Sequence, residues 1–381
     1  GVERCLFGNG KELHFKKLMD FDTIGGKSNK NGARFDLDAM YVNWLGLSLK
    51  CYLPKSENSL SYVWESLKGK ISYCNIKRLM FSSGWRYYAE IVVSGAAPTR
   101  VSIGTSTMGI DPGVSTIAGV SEDACVLEEL APNAIQYEKK IQKISQRMDR
   151  SRRISNPNKY NEDGTINRSN RDPWKYSKNY VKMCRLLKSL YRKKHAYIVD
   201  SHRELCNKLI TIAKYFPVEK MHFQALQKRA KETKRQEKKT EVKQKDGTVK
   251  VIQKYKRKKR FGRSINRRAP ARFLLELKRK AEAVGGVYAE VDTKEFKASQ
   301  YNHVTDTYEK IPLSQREKEI GKRKVQRDLY SAFLIRNADL DFKHPDREKC
   351  EYEFEYFANL QDQLILKMKE SGLSMRQCFG F

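Results

Sequence analysis

Three absences narrow the classes to which this sequence can belong. No apolar run is long enough to suggest a membrane span, no amphipathic anchor stands out, and no secretory signal is visible. The cysteines, at positions 5, 51, 74, 125, 184, 206, 350 and 378, include no pair at a two-residue spacing. This distribution disfavours a disulfide framework and a ribbon-type zinc site, and it predicts free thiols in a reducing cytoplasm.

Acidic residues are also scarce. The 381 residues contain 45 Asp and Glu against 76 Lys and Arg, which gives a net charge of +31. Because each phosphate neutralised by Lys or Arg releases condensed counterions, this excess favours an extended polyanion as partner. Nucleic acid is the first hypothesis, for a protein of the cytoplasm. The alternatives are a charge that serves only solubility, or a membrane-surface role.

The opening stretch of the chain, residues 1–104, has the composition of β-strands. Its runs 40–52, 71–81 and 85–93 are rich in β-branched and aromatic residues, and Ser82-Ser83-Gly84 is typical of a hairpin turn. We expect a small barrel or curved sheet. We also expect this domain to be incomplete at its N-terminus, because the sequence begins without Met inside a strand-like stretch.

Between residues 133 and 213 the apolar period becomes helical. Two helices are predicted, separated by a break at 154–174 that contains Asn-Pro-Asn and Asp-Gly. Their outer face carries nine basic residues: Arg147, Arg150, Arg152, Arg153, Arg185, Lys188, Arg192, Lys193 and Lys194. Such a face is either simply solvated or forms a groove for a nucleic-acid backbone.

The remaining chain alternates strands and helices. Residues 218–223 are a strand candidate, and the basic stretch after it has a low-complexity middle, 243–259, that predicts a mobile loop. A helix at 271–284 ends at Gly285-Gly286 and is followed by a strand at 287–291. A further helix is predicted at 325–335, and another in the tail after Glu348.

The stretch Thr107–Val120 is central to the prediction. An apolar strand ends at the carboxylate of Asp111, then Pro112-Gly113 turns the chain into a second β-branched run. Proline fixes φ and we expect Gly113 to take a positive φ, so the chain reverses directly after the carboxylate. This placement suits a metal ligand, and it equally suits an ordinary polar turn.

Two more carboxylates, Glu219 and Asp328, lie at the ends of predicted elements. The order of strands and helices is compatible with a ribonuclease-H-like α/β core. Phosphodiester hydrolysis with two magnesium ions needs hard oxygen ligands that converge from separate elements. Singly, Glu219 is equally a strand-edge surface acid, and Asp328 a helix N-terminal acid favoured by the macrodipole. Only their joint occurrence with Asp111, in this order, favours a two-Mg²⁺ site.

Several motifs carry a family resemblance. They are Gly109-Ile110-Asp111-Pro112-Gly113, Glu219-Lys220-Met221 with Phe223, Leu226-Gln227-Lys228-Arg229, Arg260-Phe261-Gly262, Ala269-Pro270, Ser299-Gln300 and Gln326-Arg327-Asp328-Leu329-Tyr330-Ser331-Ala332. Over residues 40–340 the chain resembles the TnpB family, transposon-encoded RNA-guided DNA endonucleases similar to the ancestors of type V CRISPR effectors. The resemblance implies a split RuvC nuclease domain with Asp111, Glu219 and Asp328 as its acidic triad. It also implies a wedge-type β-barrel that grips guide RNA and target duplex, and inserted helices along the heteroduplex path.

The sequence departs from the family pattern after Ser299-Gln300. Family members usually carry a zinc ribbon of two Cys pairs there, whereas here His303 and Asp306 keep a ligand-like spacing and no Cys pair follows. We therefore do not expect zinc. We expect a lid held by hydrogen bonds, with Asn302, His303 and Arg316 supporting the site or contacting a strand. Family members also begin earlier, with barrel strands and a helical insert that reads the motif next to the target.

The expected order of domains follows from these patterns and the resemblance. It is a wedge-like barrel (1–104), a first RuvC segment (105–132), a helical insertion (133–213), a second RuvC segment with a basic loop (214–298), a lid (299–324), a third RuvC segment (325–341) and a tail (342–381). Candidate nucleic-acid contacts are Arg150, Arg152, Arg153, Arg192, Lys193, Lys194, Lys228, Arg229, Arg260, Arg263, Gln300, Asn302, His303 and Arg327.

The predicted function is an RNA-guided DNA endonuclease with a two-Mg²⁺ RuvC site, partnered by guide RNA and target DNA and not by a membrane. One alternative is a guide-directed DNA-binding repressor that does not cut. Loss of a triad member would favour it, and all three acids are present. Another alternative is an RNA-binding module without a guide mechanism.

Overall fold

The computed structural model describes residues 21–95, 97–162, 164–227, 235–243, 249–255, 261–312 and 314–381. It is a mixed α/β structure that divides into two compact units. Unit 1 falls within residues 1–98 and 137–194, and unit 2 within 99–136 and 195–381. The expected helical insertion is thus divided between the units, and the finer domain boundaries stay a prediction. Within the described ranges, no helix has both the length and the apolar composition to cross a bilayer.

The first elements of unit 1 are mostly antiparallel strands. They are β1 (Thr23–Gly25), β2 (Arg34–Asp36), β3 (Tyr41–Trp44), β4 (Leu47–Lys50), α1 (Glu57–Leu67), β5 (Lys70–Phe81) and β6 (Gly84–Ser94). The strands pair as two three-stranded sheets, β1-β5-β6 and β2-β3-β4. Gly84 begins β6 with a φ of +126°, a conformation that favours glycine and explains the hairpin turn. Closure of these sheets into a barrel stays a prediction.

Four strands and two long helices follow. They are β7 (Ser106–Thr107), β8 (Gly109–Pro112), β9 (Thr116–Val120), β10 (Cys125–Glu129), α2 (Ala134–Ser155) and α3 (Lys178–Ile212), with a 3₁₀ turn at Pro157–Lys159. The hairpin of β8 and β9 differs from the prediction in one detail. Gly113 does not have a positive φ. Glycine is needed there because a Cβ would lie 2.8 Å from Thr116 Oγ1, while the Gly113 N–H donates to the Thr116 carbonyl at 2.9 Å.

The second half of the chain completes the fold. Its elements are β11 (Ala213–Glu219), α4 (Phe223–Gln227), β12 (Arg235–Lys243), β13 (Val249–Tyr255), α5 (Gly262–Arg268), α6 (Pro270–Ala283), β14 (Val287–Val291), α7 (Thr293–Phe296), β15 (Tyr301–Asn302), β16 (Thr307–Tyr308), β17 (Glu317–Ile320), β18 (Arg323–Gln326), α8 (Arg327–Arg336) and α9 (Arg347–Glu370). Pro270 in the first turn of α6 suits its fixed φ, and Gly285, with a φ of +79°, follows the helix end.

The central sheet of unit 2 has the order β10-β9-β8-β11-β14, and β7 also pairs with β11. Strands β8, β9 and β10 form antiparallel pairs, whereas β11 runs parallel to both β8 and β14. The carboxyl ends of β8 and β11 therefore lie side by side at one edge of the sheet.

Helices cover both faces of this sheet. Ile117 and Val126 pack with Leu209 of α3 and Phe273 of α6 on one face. The residues that follow the first two, Ala118 and Leu127, pack with α8 and α9 on the other face. This alternation is the period-two pattern of a sheet buried on both sides.

The predicted strand at 287–291 is confirmed, and the helices predicted at 271–284 and 325–335 are confirmed within two residues. The prediction of a mobile loop at 243–259 is wrong for Lys243, the last residue of β12, and for 249–255, which form β13 and pair antiparallel with β12. The rest of that stretch lies outside the described residues. The β-branched residues Val249, Val251 and Ile252 favour a strand despite the local charge.

Candidate active site

Asp111 lies in β8, directly before the residue that ends the strand. Its neighbour Ile110 packs on the α3 and α6 face of the sheet. A Cβ on Gly109 would lie 2.2 Å from the Ala332 carbonyl oxygen of α8, so that position faces the opposite side. Because successive side chains alternate, Asp111 projects toward α8, like Gly109.

Glu219 reaches the same face from the neighbouring strand. Val218 of β11 is the register partner of Ile110 and shares its core. Glu219 is one residue further along, as Asp111 is from Ile110. Because the two strands are parallel, the two carboxyl groups lie next to each other on the α8 side.

Asp328 is brought to this point by the close approach of α8 to β8. The helix packs on Gly109 through Ala332, which lies one turn after Asp328. One helical turn rises about 5–6 Å, close to the length of two strand residues. The N-terminal turn of α8 therefore reaches the level of Asp111, and the Asp328 charge acts on both Asp111 and Glu219.

The pKa values of two of the carboxyl groups, those of Asp111 and Glu219, are raised by their surroundings. Desolvation, followed by the charges of Glu219 and Asp328, raises the pKa of Asp111 well above its usual value, and the Arg327 guanidinium opposes this only partly. Desolvation also raises the pKa of Glu219, helped by Asp328 and opposed by a hydrogen bond from the Asp111 carboxyl. The edge thus concentrates more negative charge than its own surroundings neutralise.

Among the described residues, Asp328 has cationic hydrogen-bond partners and Asp111 and Glu219 do not. Arg316 Nη1 lies 3.2 Å from Asp328 Oδ2, and Arg327 Nη2 lies 2.9 Å from Asp328 Oδ1. Gln326 caps α8 by accepting a hydrogen bond from the Leu329 N–H at 2.7 Å, and its own N–H donates to Gln361 of α9. Helix α9 thereby helps to fix the turn that carries Asp328.

The donor set fits hard divalent cations. Carboxylate oxygens from separate elements are the ligands that Mg²⁺ and Ca²⁺ prefer. Nearby negative charge helps to raise the pKa values of two of these groups, Asp111 and Glu219. Among the described residues, no group of three or more His, Cys, Asp and Glu side chains has the geometry of a finished metal site. The residues that could hold a metal at this edge are Asp111, Glu219 and Asp328.

The predicted lid is held by a buried polar cluster. The His303 ring is 1% exposed, and its Nδ1 lies 2.7 Å from the Tyr330 hydroxyl of α8. Lys318 Nζ donates to the Tyr301 carbonyl at 2.6 Å and lies over the Tyr330 ring. Burial lowers the pKa of His303 to about 4 and that of Lys318 to about 8. The structure thus places His303 in the core and not on a surface that a nucleic acid could reach.

The other candidate contacts in the lid, and Arg327 just after it, differ in exposure and in hydrogen-bond partners. Arg327 is buried, and besides Asp328 it donates to the Gln315 carbonyl at 3.2 Å. Gln300 and Asn302 are half-buried, and Asn302 accepts a hydrogen bond from the Val304 N–H. Asp306 accepts from Tyr301 and lies 3.9 Å from Arg347. The structure therefore gives His303 and Asp306 separate partners.

The basic face predicted on the helices of unit 1 is largely bonded within the chain. Arg152 and Arg153 pair with Asp149, both at 2.9 Å, and Lys194 pairs with Glu138 at 3.0 Å. Among the described candidates, the exposed ones are Arg150, Arg153 and Lys193 in unit 1 and Arg263 in unit 2. The candidates Lys228, Arg229 and Arg260 lie outside the described residues.

Arg192 belongs to a surface that we call the cationic hairpin, formed by Arg78, Phe81, Trp85, Arg86, Lys188 and Arg192. Its guanidinium lies 3.8 Å from the Phe81 ring centroid, and Arg86 lies 4.5 Å from the same ring. Arg78 and Lys188 lie over the Trp85 ring in the same way. Of this set, the sequence placed Lys188 and Arg192 on the basic helix face and Arg78 and Arg86 on a basic edge of the β-rich stretch, and only Arg192 was a candidate nucleic-acid contact. The further signal at the hairpin is the alternation of aromatic and basic residues around the Ser82-Ser83-Gly84 turn.

The comparisons with known proteins are limited. No protein-family model and no curated protein matches the chain. Among solved structures, it is similar to one described as the cryo-EM structure of a CRISPR-Cas12f ternary complex, with 14% sequence identity and a TM-score of 0.34. The match covers 83% of this chain and 51% of that chain, so the present chain spans about half the length of that protein. The narrower resemblance to TnpB stays a prediction.

Proposed function

We propose that this chain is a divalent-metal-dependent endonuclease that cuts DNA under the direction of a guide RNA. The single observation that carries the nuclease assignment is the convergence of Asp111, Glu219 and Asp328 on the α8-facing edge of the unit 2 sheet. The net charge of +31 supports a nucleic-acid substrate. Guide RNA and target DNA enter the proposal through the sequence motifs.

The positions of the three acids suggest which metal ions each of them would bind. Asp111 lies in the strand next to that of Glu219, on the side of the sheet that the helix of Asp328 covers. In this proposal Asp111 would contact both ions, and Glu219 and Asp328 would each complete the shell of one. Bound Mg²⁺ would supply an activated water and neutralise charge on the leaving oxygen. Arg316 and Arg327 position Asp328, and the capping Gln326 holds the turn that carries it.

The test is cleavage of target DNA in Mg²⁺ by protein purified with its native flanking RNA. Asp111→Ala is expected to lower the rate by roughly three orders of magnitude or more, as removal of one member of a catalytic set does. Glu290→Ala is the matched control. Glu290 is an exposed acid in β14, the strand next to that of Glu219, and it pairs with Lys220 at 3.0 Å. Cleavage by Asp111→Ala at the wild-type rate would refute the assignment.

A second outcome separates cutting from binding. The complex can be formed in Ca²⁺ and then exchanged into Mg²⁺. DNA products after exchange are expected for a nuclease. Retained binding without products over a long incubation would instead indicate a guide-directed DNA-binding protein that does not cut.

A further inference from the structure

Arg316 differs from the other cation beside Asp328 in the freedom of its head group. The Arg327 guanidinium side chain is only 10% exposed and also donates to the Gln315 carbonyl, so it is fixed in the core. The Arg316 side chain is 45% exposed, and its guanidinium contacts Asp328 Oδ2 at 3.2 Å. Arg316 can therefore leave the carboxylate at little packing cost, whereas Arg327 cannot.

The backbone and stem of Arg316 are held in place. Its carbonyl accepts a hydrogen bond from the Arg327 N–H at 2.8 Å. A Cβ on Gly380 would lie 2.7 Å from Arg316 Cβ, so the chain near residue 380 packs on the stem. Two residues later, Lys318 is anchored on the Tyr301 carbonyl. The backbone and stem of Arg316 are therefore fixed, whereas its guanidinium can move.

The charges around Arg316 show what it offsets. The carboxyl groups of Asp111 and Glu219 lie close to that of Asp328, so this edge gathers three acidic side chains. The Asp328 side chain is 14% exposed and has Arg316 on one carboxylate oxygen and Arg327 on the other. A divalent cation that used Asp328 Oδ2 would meet the Arg316 guanidinium at that oxygen, and two cations cannot share it without repulsion.

We propose that Arg316 is an internal counter-ion of the acidic edge, which a divalent metal displaces from Asp328 when it binds. This inference rests on the proposed function, because it takes Asp328 to be a metal ligand. Displacement releases a guanidinium beside the place where a substrate phosphate would lie, and guanidinium binds phosphate oxygens well. Arg316 would therefore lower the affinity of the edge for a metal ion when no substrate is present. Without a metal, Arg316 partly neutralises the edge.

The experiment is a Mn²⁺ titration of the metal-stripped full chain without nucleic acid, followed by calorimetry and by the paramagnetic resonance of free Mn²⁺. Arg316→Gln keeps most of the stem that packs near Gly380 and removes the charge. Its Mn²⁺ dissociation constant is expected to fall about three- to tenfold, the scale of a partly exposed ion pair. Arg316→Lys keeps a charge and should stay within about twofold of wild type.

Arg323→Ala is the matched control. Arg323 lies in the β17–β18 hairpin that directly follows Arg316, but it pairs with Glu355 at 2.8 Å and Asp362 at 3.5 Å, both on α9. Its loss should leave the Mn²⁺ affinity unchanged. Arg316→Ala is a second variant, and a matching thermal unfolding curve for each protein shows that the changes in affinity are not losses of fold.

The outcomes separate this inference from the proposed function. If wild type binds Mn²⁺ no better than Asp111→Ala, the metal site itself is refuted, and the counter-ion with it. If wild type binds normally and Arg316→Gln binds equally or more weakly, only the counter-ion exchange is refuted. A merely structural role for Arg316 predicts the second result, because loss of a structural contact does not tighten metal binding.

Discussion

The acidic edge of unit 2 and the cationic hairpin of unit 1 both gather charges of one sign, and they tolerate them differently. At the edge, desolvation and the neighbouring carboxylates raise the pKa values of Asp111 and Glu219. In the hairpin, Arg86 and Lys188 are exposed to water and lie over the faces of Phe81 and Trp85. Water and aromatic faces can stabilise surface cations, whereas crowded, half-buried carboxylates depend on neighbouring cations. Arg316 and Arg327 supply such cations to Asp328. Under the proposed function, divalent metal ions would supply the rest.

The largest expected effect on stability comes from a substitution that would separate α8 from β8. In Gly109→Ala the new Cβ would meet the Ala332 carbonyl oxygen at 2.2 Å and the Arg336 nitrogen at 2.4 Å, both backbone atoms of α8. The helix must move away from β8, so we expect the free energy of unfolding to fall by about 2–3 kcal/mol. Chemical unfolding measures this, and the Mn²⁺ affinity should fall with it because Asp328 moves too.

Gly119→Ala is the control for this substitution. Its Cβ would meet the ends of flexible side chains, Met108 Sδ at 3.1 Å and Ile110 Cδ1 at 3.2 Å. These can shift by a few tenths of an ångström, so we expect a loss of less than about 1 kcal/mol. Equal losses in the two variants would show that the approach of α8 to Gly109 is not critical.

The next effect tests the repulsion at the edge directly. Because the folded-state pKa of Asp111 is raised, the folded protein binds more protons than the unfolded chain as the pH rises above the ordinary value of 3.8. The metal-free stability should therefore fall as the pH rises from that value through the raised pKa. Asp111→Asn carries no titrating group there, and we expect it to be roughly 1 kcal/mol more stable than wild type at neutral pH.

Urea unfolding at several pH values measures this difference. Added Mg²⁺ should reverse the order by stabilising wild type more than Asp111→Asn, since a ligand of the folded state stabilises by mass action. A metal-free Asp111→Asn that is less stable than wild type at neutral pH would contradict the like-charge account of the edge.

The smallest effect is expected in the cationic hairpin. Arg86→Ala removes one exposed cation, so RNA binding should weaken uniformly across sequences and the slope of log K against log salt should shrink by about one. Fluorescence anisotropy at several salt concentrations measures it. Arg347→Ala is the control, because this residue pairs with Glu351 at 3.0 Å on α9. Equal slopes for Arg86→Ala and wild type would exclude the hairpin from the RNA-binding surface.

Some of this arrangement could be predicted from the sequence, because local signals carry it. The strand that ends near Asp111 is marked by Pro112-Gly113, and α6 and β14 are marked by Pro270 and by Gly285-Gly286. These features depend on residues within a few positions of one another.

The remainder depends on partners that are distant in sequence. Asp328 reaches the edge because Gly109 lets Ala332 of α8 pack on the strand. A single glycine after a methionine in the sequence does not predict this helix–strand contact. Arg316 beside Asp328 was expected only as a supporting contact in the lid. The burial of His303 was missed because a histidine among polar residues reads as exposed, and its partners Tyr330 and Phe354 come from α8 and α9.

The register of β8 against β11 has a consequence for biosynthesis. These strands are neighbours in the sheet, yet the two long helices lie between them in the chain, and α8 comes later still. Such non-local pairing forms slowly, and a chain emerging from the ribosome cannot pair strands that have not yet been translated. A nascent chain that stops before Asp328 therefore lacks one of the three carboxyl groups of the acidic edge.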